Sequence, residues 1–178
     1  MGPKRYFRRA TRFLHLLAFG RNAIIDRQSI KQFPNTMRYL ELCTLTDSQI
    51  ADLLGLMKEL NPEIPVTAQM QQRAVGAPGT RIFVAENDAK HIVGCATLCV
   101  FESPTGRKAS VEDVVVLPAY RGQGIGRTLL QRIIDFAGNK LSPIDIHLTS
   151  MPSRVEANAL YQALGFEKRD TNVYKMSL

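Results

Sequence analysis

The stretch Val114-Val115-Val116-Leu117-Pro118-Ala119-Tyr120-Arg121-Gly122-Gln123-Gly124-Ile125-Gly126 decides how this chain of 178 residues is read. An apolar run suited to a strand meets a proline, then a loop with glycine at alternate positions, then a helical pattern. In that pattern Ile125, Leu129, Ile133 and Ala137 recur at four-residue spacing, which predicts a helix over 124–138. Glycine lacks the Cβ that keeps backbone N–H groups away from an anion, and a helix N-terminus adds about half a positive charge. Strand, glycine loop and helix start in succession therefore make a phosphate cradle built mostly of main chain. Arg121 and Arg127 can add side-chain charge. Glycines ahead of a helix can also serve only a tight turn. Two other phosphate motifs do not fit. A P-loop ends in Gly-Lys-Ser/Thr, whereas Gly126 is followed by Arg127-Thr128, and the dinucleotide fingerprint needs glycine where Arg127 stands.

Around this stretch the pattern alternates between strand and helix. Residues 38–43 suit a first strand, with Tyr39 and Glu41 alternating with Leu40 and Leu42. Thr46-Asp47-Ser48-Gln49 is a capping box, and Ile50, Leu53, Leu54, Met57 and Leu60 line one face of the helix behind it. Asn61-Pro62 and Pro65 end that helix, 67–75 predicts a short second one, and 76–79 is a turn. Residues 81–86 and 92–101 predict a hairpin around the polar turn 87–90, followed by a turn at 103–108 and a strand at 109–117. After the 124–138 helix come a strand at 144–149, a helix at 153–164 closed by Gly165, and a final hairpin pairing 166–169 with 173–177. The sum is a mixed sheet with helices packed on it, in one domain.

Composition narrows the class further. With 45% hydrophobic and 22% charged residues the chain fits an ordinary globular domain, which excludes collagen, coiled coil and secreted mini-protein. The longest apolar run, residues 14–20, is interrupted by His15 and falls far short of the roughly 20 residues that cross a bilayer. Three cysteines, Cys43, Cys95 and Cys99, do not make a disulfide framework, so a reducing, cytoplasmic setting is expected. A net charge of +7 would suggest nucleic acid, but residues 1–36 hold eight basic side chains against one acid, and 37–178 hold 15 of each. The excess belongs to a basic N-terminal extension. It reads as a membrane-surface or targeting segment, or as a dispensable leader ahead of a domain beginning at Met37. No nucleic-acid partner is expected for the domain, and no Cys-x-x-Cys or His-x-x-x-His spacing offers a metal site.

A second signal lies downstream. Asn158 and Tyr161, three apart, share one face of the last helix, within Asn158-Ala159-Leu160-Tyr161-Gln162-Ala163-Leu164-Gly165-Phe166. Glu112 and Asp113 head the valine strand, and a period of two puts them on opposite faces. Together these residues resemble the GNAT superfamily of acetyl-CoA-dependent N-acetyltransferases. Arg121-Gly122-Gln123-Gly124-Ile125-Gly126 is similar to the family's Arg/Gln-x-x-Gly-x-Gly/Ala pyrophosphate loop. Asn158, Leu160-Tyr161 and Leu164-Gly165-Phe166 are similar to its C-terminal motif. The resemblance spans about residues 38–178 and leaves 1–36 uncovered.

The resemblance implies an α/β (α+β) fold: a mixed, mainly antiparallel central sheet flanked by helices, with a splayed parallel strand pair holding acetyl-CoA. It implies that the N–H groups of residues 121–127 hold the pyrophosphate and that the strand of Val114, Val115 and Val116 lies along the pantetheine arm. An N–H near Val115 would polarise the acetyl carbonyl, and Asn158 would contact the coenzyme. Tyr161 would sit by the sulfur as general acid, and Glu112 would be the base, directly or through a water. Each has a rival reading: Tyr161 as a core tyrosine, Glu112 as an edge carboxylate with Asp113 the inward one. Direct transfer in a ternary complex needs no acyl-enzyme, so Cys95 and Cys99 read as small hydrophobes, and His147 as a packed or solvated histidine. The implied acceptor is a primary amine on a small molecule or peptide, bound by residues 59–72 and 169–174. There Glu59 and Glu63 would favour a cation or be ordinary loop acids, and Asn172 and Tyr174 would touch the acceptor or only shape the hairpin. A homodimer is compatible with the family, though no residue points to one. The alternative function is an acyl-CoA-binding domain without turnover.

Overall fold

The computed structural model describes residues 36–177. The basic extension expected over 1–36 lies outside them but for Thr36. Strand β1 (Arg38–Leu42) is followed by helix α1 (Asp47–Leu60), whose capping box forms as expected: Thr46 Oγ1 accepts from Gln49 N–H, and Gln49 Oε1 accepts from Thr46 N–H. Helix α2 (Ala68–Gly76) is capped by Thr67. Then come β2 (Thr80–Glu86), β3 (Ile92–Ser103) and β4 (Gly106–Val116) as an antiparallel meander, helix α3 (Ile125–Lys140), a short β5 (Asp145–His147), and helix α4 (Val155–Ala163). The five strands lie in sequence order, and only β4 and β5 run parallel.

The sheet separates two cores. On one face Phe83, Ala85, Val93, Leu98, Ala109 and Val111 meet Ile125, Leu129, Leu130 and Ile133 of α3. On the other, Leu42, Ile82, Val84, Ile92, Cys95 and Val115 meet Leu53 and Leu56 of α1. Fully burying a leucine side chain contributes roughly 1.5–3 kcal/mol, so these stripes fix each helix to its face. The four-residue repeat expected on α3 is buried throughout. On α1 the buried stripe is Ile50, Leu53 and Leu56, and the expected Leu54, Met57 and Leu60 are half-buried at its edges. Buried Glu86 ties three elements together, bonding Gln49 Nε2 at 3.4 Å and Arg38 Nη2 at 3.4 Å.

Two expectations are corrected. The turn expected over 103–108 is shorter, because β3 runs to Ser103 and β4 starts at Gly106. Charged residues at the tip read as loop, yet Glu102 and Arg107 face each other across the strands and bond at 2.7 Å. The C-terminal hairpin is not formed: residues 165–177 carry no regular element. Phe166 packs edge-on against Tyr161 at 6.1 Å, but beyond it Val173, Tyr174 and Met176 are 75%, 87% and 83% exposed. The predicted alternation there has no neighbouring ladder to lock into, since β5 is only three residues long.

Candidate active site

The site begins where two parallel strands part. Lys108, Ala109 and Ser110 of β4 pair with Asp145, Ile146 and His147 of β5, and the pairing stops there. From Val111 to Val116 the β5 side of β4 carries no partner strand. A bulge accompanies the parting. Thr97 pairs with Glu112 and Cys95 with Val115, so Asp113 and Val114 together oppose Ala96. Asp113 takes the extra turn with φ +52°, a left-handed conformation that Asp and Asn tolerate better than most residues. The bulge reverses the strand's phase. Before it Ala109 and Val111 face α3; after it Val115 faces α1 while Val114 and Val116 pack toward α3. Strict alternation through Glu112 and Asp113, as the sequence suggests, does not hold here.

The bulge also redirects the main chain. Leu117 N–H donates to Val93 O at 2.9 Å, and Cys95 pairs with Val115, so the ladder directs Val115 N–H toward β3. Val116 N–H, next to Val115, is therefore directed to the gap side. Val116 O lies on that side too, accepting from Arg121 Nε at 3.0 Å.

Below the gap lies the glycine loop. A single 3-10 turn, Pro118–Tyr120, leads into it, anchored by Asn87 Nδ2 donating to Tyr120 Oη at 3.0 Å. Gly122 and Gly124 have φ of +73° and +77°, a region where a Cβ is strained, which explains the alternation of glycines. Gly126 has an ordinary φ and sits at the first turn of α3 near Leu160. Arg121 N–H is used by Pro118 O, but among the described residues nothing accepts from the N–H groups of Gly122, Gln123, Ile125, Gly126 and Arg127. Arg121 and Arg127 are exposed beside these donors. Arg121 Nη2 is held by Glu59 Oε1, at the end of α1, at 2.7 Å. A second unmet group lies just beyond β5: Ser150 Oγ is buried without a partner, the only such side-chain atom among the described residues. Sequence reasoning passed over Ser150, since a lone serine in a loop carries no periodic signal.

Glu112 and Tyr161, the two residues expected to move protons, lie on opposite faces of the sheet. Glu112 leaves β4 on the face opposite Val111, the face that α1 covers farther along the sheet, and it accepts a hydrogen bond from Ser110 Oγ. Its cross-strand partner is Thr97, and Ser110 lies between Cys99 of β3 and exposed His147 of β5. The Asp113 carboxyl keeps open surface, yet the protein crowding it, and then the Glu112 charge, push its pKa above the ordinary carboxylate value. Burial, followed by the Glu112 charge, likewise pushes the Cys99 thiol up, and burial followed by Asp113 pushes Cys95 far up. Neither thiolate is favoured, in line with their reading as small hydrophobes. Tyr161 lies on the other side, 8% exposed in the α3 core, and burial raises its phenol above 10 against a smaller opposing pull from Arg154. Among the described residues no hydrogen bond joins Tyr161 to Glu112. Asn158 Nδ2 donates to Met151 O at 2.9 Å, shaping the loop ahead of α4. Among the described residues no cluster of three His, Cys, Asp or Glu side chains could hold a metal ion, and no helix is long and apolar enough to cross a membrane.

Residues 78–168 match the family model described as "Acetyltransferase (GNAT) domain". Glucosamine 6-phosphate N-acetyltransferase of Trypanosoma brucei brucei is 30% identical over 141 residues, which cover 74% of this chain and 91% of that protein. An uncharacterized protein of Mycobacterium leprae (strain TN) is 35% identical over 86 residues, 48% of this chain, so the chain spans only 23% of that relative. Among solved structures, aminoglycoside N-acetyltransferase AAC(6')-Iy in complex with CoA has the same fold, with TM-score 0.66 and 20% identity over 82% of this chain and 97% of that one. A bulged strand parting from its parallel neighbour above a glycine loop, in a chain with these relatives, makes this protein a member of the GNAT acetyltransferase family.

Proposed function

We propose that this chain moves the acetyl group of acetyl-CoA directly to a primary amine while both substrates are bound. The observation that carries the reading is the continuity of the β4–β5 gap with the unpaired N–H groups of the loop below it. The residues present fit the coenzyme. The N–H groups of Gly122 through Arg127, with Arg121 and Arg127 side chains, would hold the diphosphate. The gap-side main chain of Val114 and Val116 would hydrogen-bond the pantetheine, with Asn158 and Ser150 Oγ as further contacts. Acetyl-CoA supplies an activated thioester; the protein supplies position, a proton acceptor and proton donors.

An alkylammonium with pKa near ~10.4 must lose its proton before it attacks. Glu112, exposed on β4 where the pairing with β5 has ended, takes that proton, directly or through a water. Val116 N–H donates to the carbonyl oxygen as charge develops on it. Tyr161 O–H donates to the departing sulfur, and its raised pKa keeps the phenol protonated as that role requires.

Two of the similar proteins are named for glucosamine 6-phosphate and aminoglycoside acetylation, so amines on sugars head the acceptor panel. The test is thiol release from acetyl-CoA with glucosamine 6-phosphate, an aminoglycoside, spermidine and a peptide N-terminus. Amine-dependent release supports the reading. Calorimetry with no heat on titrating acetyl-CoA into folded protein overturns it. Tight acetyl-CoA binding without release on any amine would leave an acyl-CoA-binding domain instead.

A further inference from the structure

Ser110 and Glu112 stand two apart on β4, ahead of the bulge, so both side chains leave the same face of the sheet. Ser110 Oγ donates to Glu112 Oε1. A glutamate has three side-chain torsions, and on an exposed strand surface nothing else would hold its carboxylate in one place. Its neighbours leave the task to Ser110. Among the described residues Thr97, its partner on β3, makes no hydrogen bond to it. Cys99 on β3 and Asp113 on β4 raise no hydrogen bond to it, and His147 of β5 faces Ser110 in register. From α1, which packs on the same face, Asp52 bonds His91 and Ile92 N–H, and Glu59 bonds Arg121.

We propose that Ser110 is a positioning residue for acetyl transfer: its hydroxyl fixes one oxygen of the Glu112 carboxylate and leaves the other to take the proton from the amine. In that step the ammonium N–H bond breaks, an O–H bond forms at Glu112 Oε2, and the Ser110 proton stays on its own oxygen. The freed lone pair forms the C–N bond at the thioester carbon; as the C–S bond breaks, the sulfur takes the Tyr161 proton, the second proton shed by the nitrogen replaces it, and the proton on Glu112 passes to solvent, leaving amide and free thiol. The inference rests on the reading of Glu112 as the base.

The experiment compares Ser110→Ala, Ser110→Thr, Glu112→Gln and the double variant S110A/E112Q in the full chain. The probes are acetyl-CoA and whichever amine of the panel the native protein acetylates fastest. Ser110→Ala is expected to lower kcat about ten-fold, since one hydrogen bond to a charged group is lost, with acetyl-CoA affinity by calorimetry unchanged. Ser110→Thr, which keeps the hydroxyl, restores most of the rate. In the Glu112→Gln background the serine change costs nothing further. Carboxyl NMR of the full chain at neutral pH reads the same tether without any acceptor: the Glu112 resonance moves between native protein and Ser110→Ala. An unmoved resonance, no rescue by threonine, or an equal loss in the double variant overturns the proposal. If Glu112→Gln retains the native rate and acid limb, the base assignment itself falls; if Glu112→Gln is impaired and Ser110→Ala is silent, only the tether does.

Discussion

Asp113 shows how much one residue carries here. It supplies the left-handed turn of the bulge, and its carboxyl sits where burial and Glu112 both disfavour charge. A folded pKa raised above the unfolded one means that the favourable contribution holds below the ordinary carboxylate pKa and is lost as pH rises through the raised value. Asparagine keeps the tolerance for positive φ without the charge. Asp113→Asn should therefore melt higher than the native protein at pH 7, with the difference closing below about pH 4; equal melting at pH 7 would contradict it. Valine at the same place should lose stability by roughly 1–3 kcal/mol through backbone strain alone. Tyr161 makes a different prediction. Tyr161→Phe should lower kcat by at least ten-fold while acetyl-CoA affinity holds, since only the hydroxyl is removed. Because burial pushes the phenol above its ordinary value, the variant should keep the native shape of the pH–rate profile through neutral and mildly alkaline pH.

At the scale of elements, the glycine loop and α3 were legible in the sequence because each obeys a local rule. Alternate glycines mark the positive φ of Gly122 and Gly124, and the four-residue repeat marks the buried stripe of α3. Gly124→Ala should cost about 1–2 kcal/mol from the left-handed backbone and weaken acetyl-CoA binding, both measurable by melting and calorimetry. Binding unchanged in a folded variant would count against the cradle. The bulge in β4 was not legible. Its signal would be a break in alternation, but Val114-Val115-Val116 is apolar throughout, so the reversal of faces leaves no trace in residue type. The missing C-terminal hairpin was over-read for the converse reason: residues 166–177 have strand-like composition, but pairing depends on a neighbouring edge, which composition does not encode. Ser110 and Arg121 illustrate the same limit. Their partners Glu112 and Glu59 follow from the strand face in one case and from a contact across the fold in the other.

Across the described residues, the sheet is a partition whose last two strands part beyond Ser110 and His147. Glu112 belongs to the face that α1 covers and Tyr161 to the face of α3 and α4, and the proposed mechanism has their chemistry meet where β4 parts from β5. The end of α1 is drawn toward that opening twice, by Arg121 bonding Glu59 and by Arg154 Nη2 donating to Leu60 O at 3.3 Å. Both side chains of the Glu59–Arg121 pair are substantially exposed, so Glu59→Gln should change stability by under about 1 kcal/mol. Its larger effect should be on ligands: with Arg121 released toward the diphosphate, acetyl-CoA should bind a few-fold tighter at low salt, and the gain should fade as salt rises. Equal affinity at low salt would show that the pair does not compete with the coenzyme. On the proposed reading, Glu59 answers to the anion of acetyl-CoA through Arg121 and borders the acceptor, which couples the two affinities. Whatever factor the first ligand imposes on the second, the second must return to the first, so titrations run in either order should enclose the same free energy.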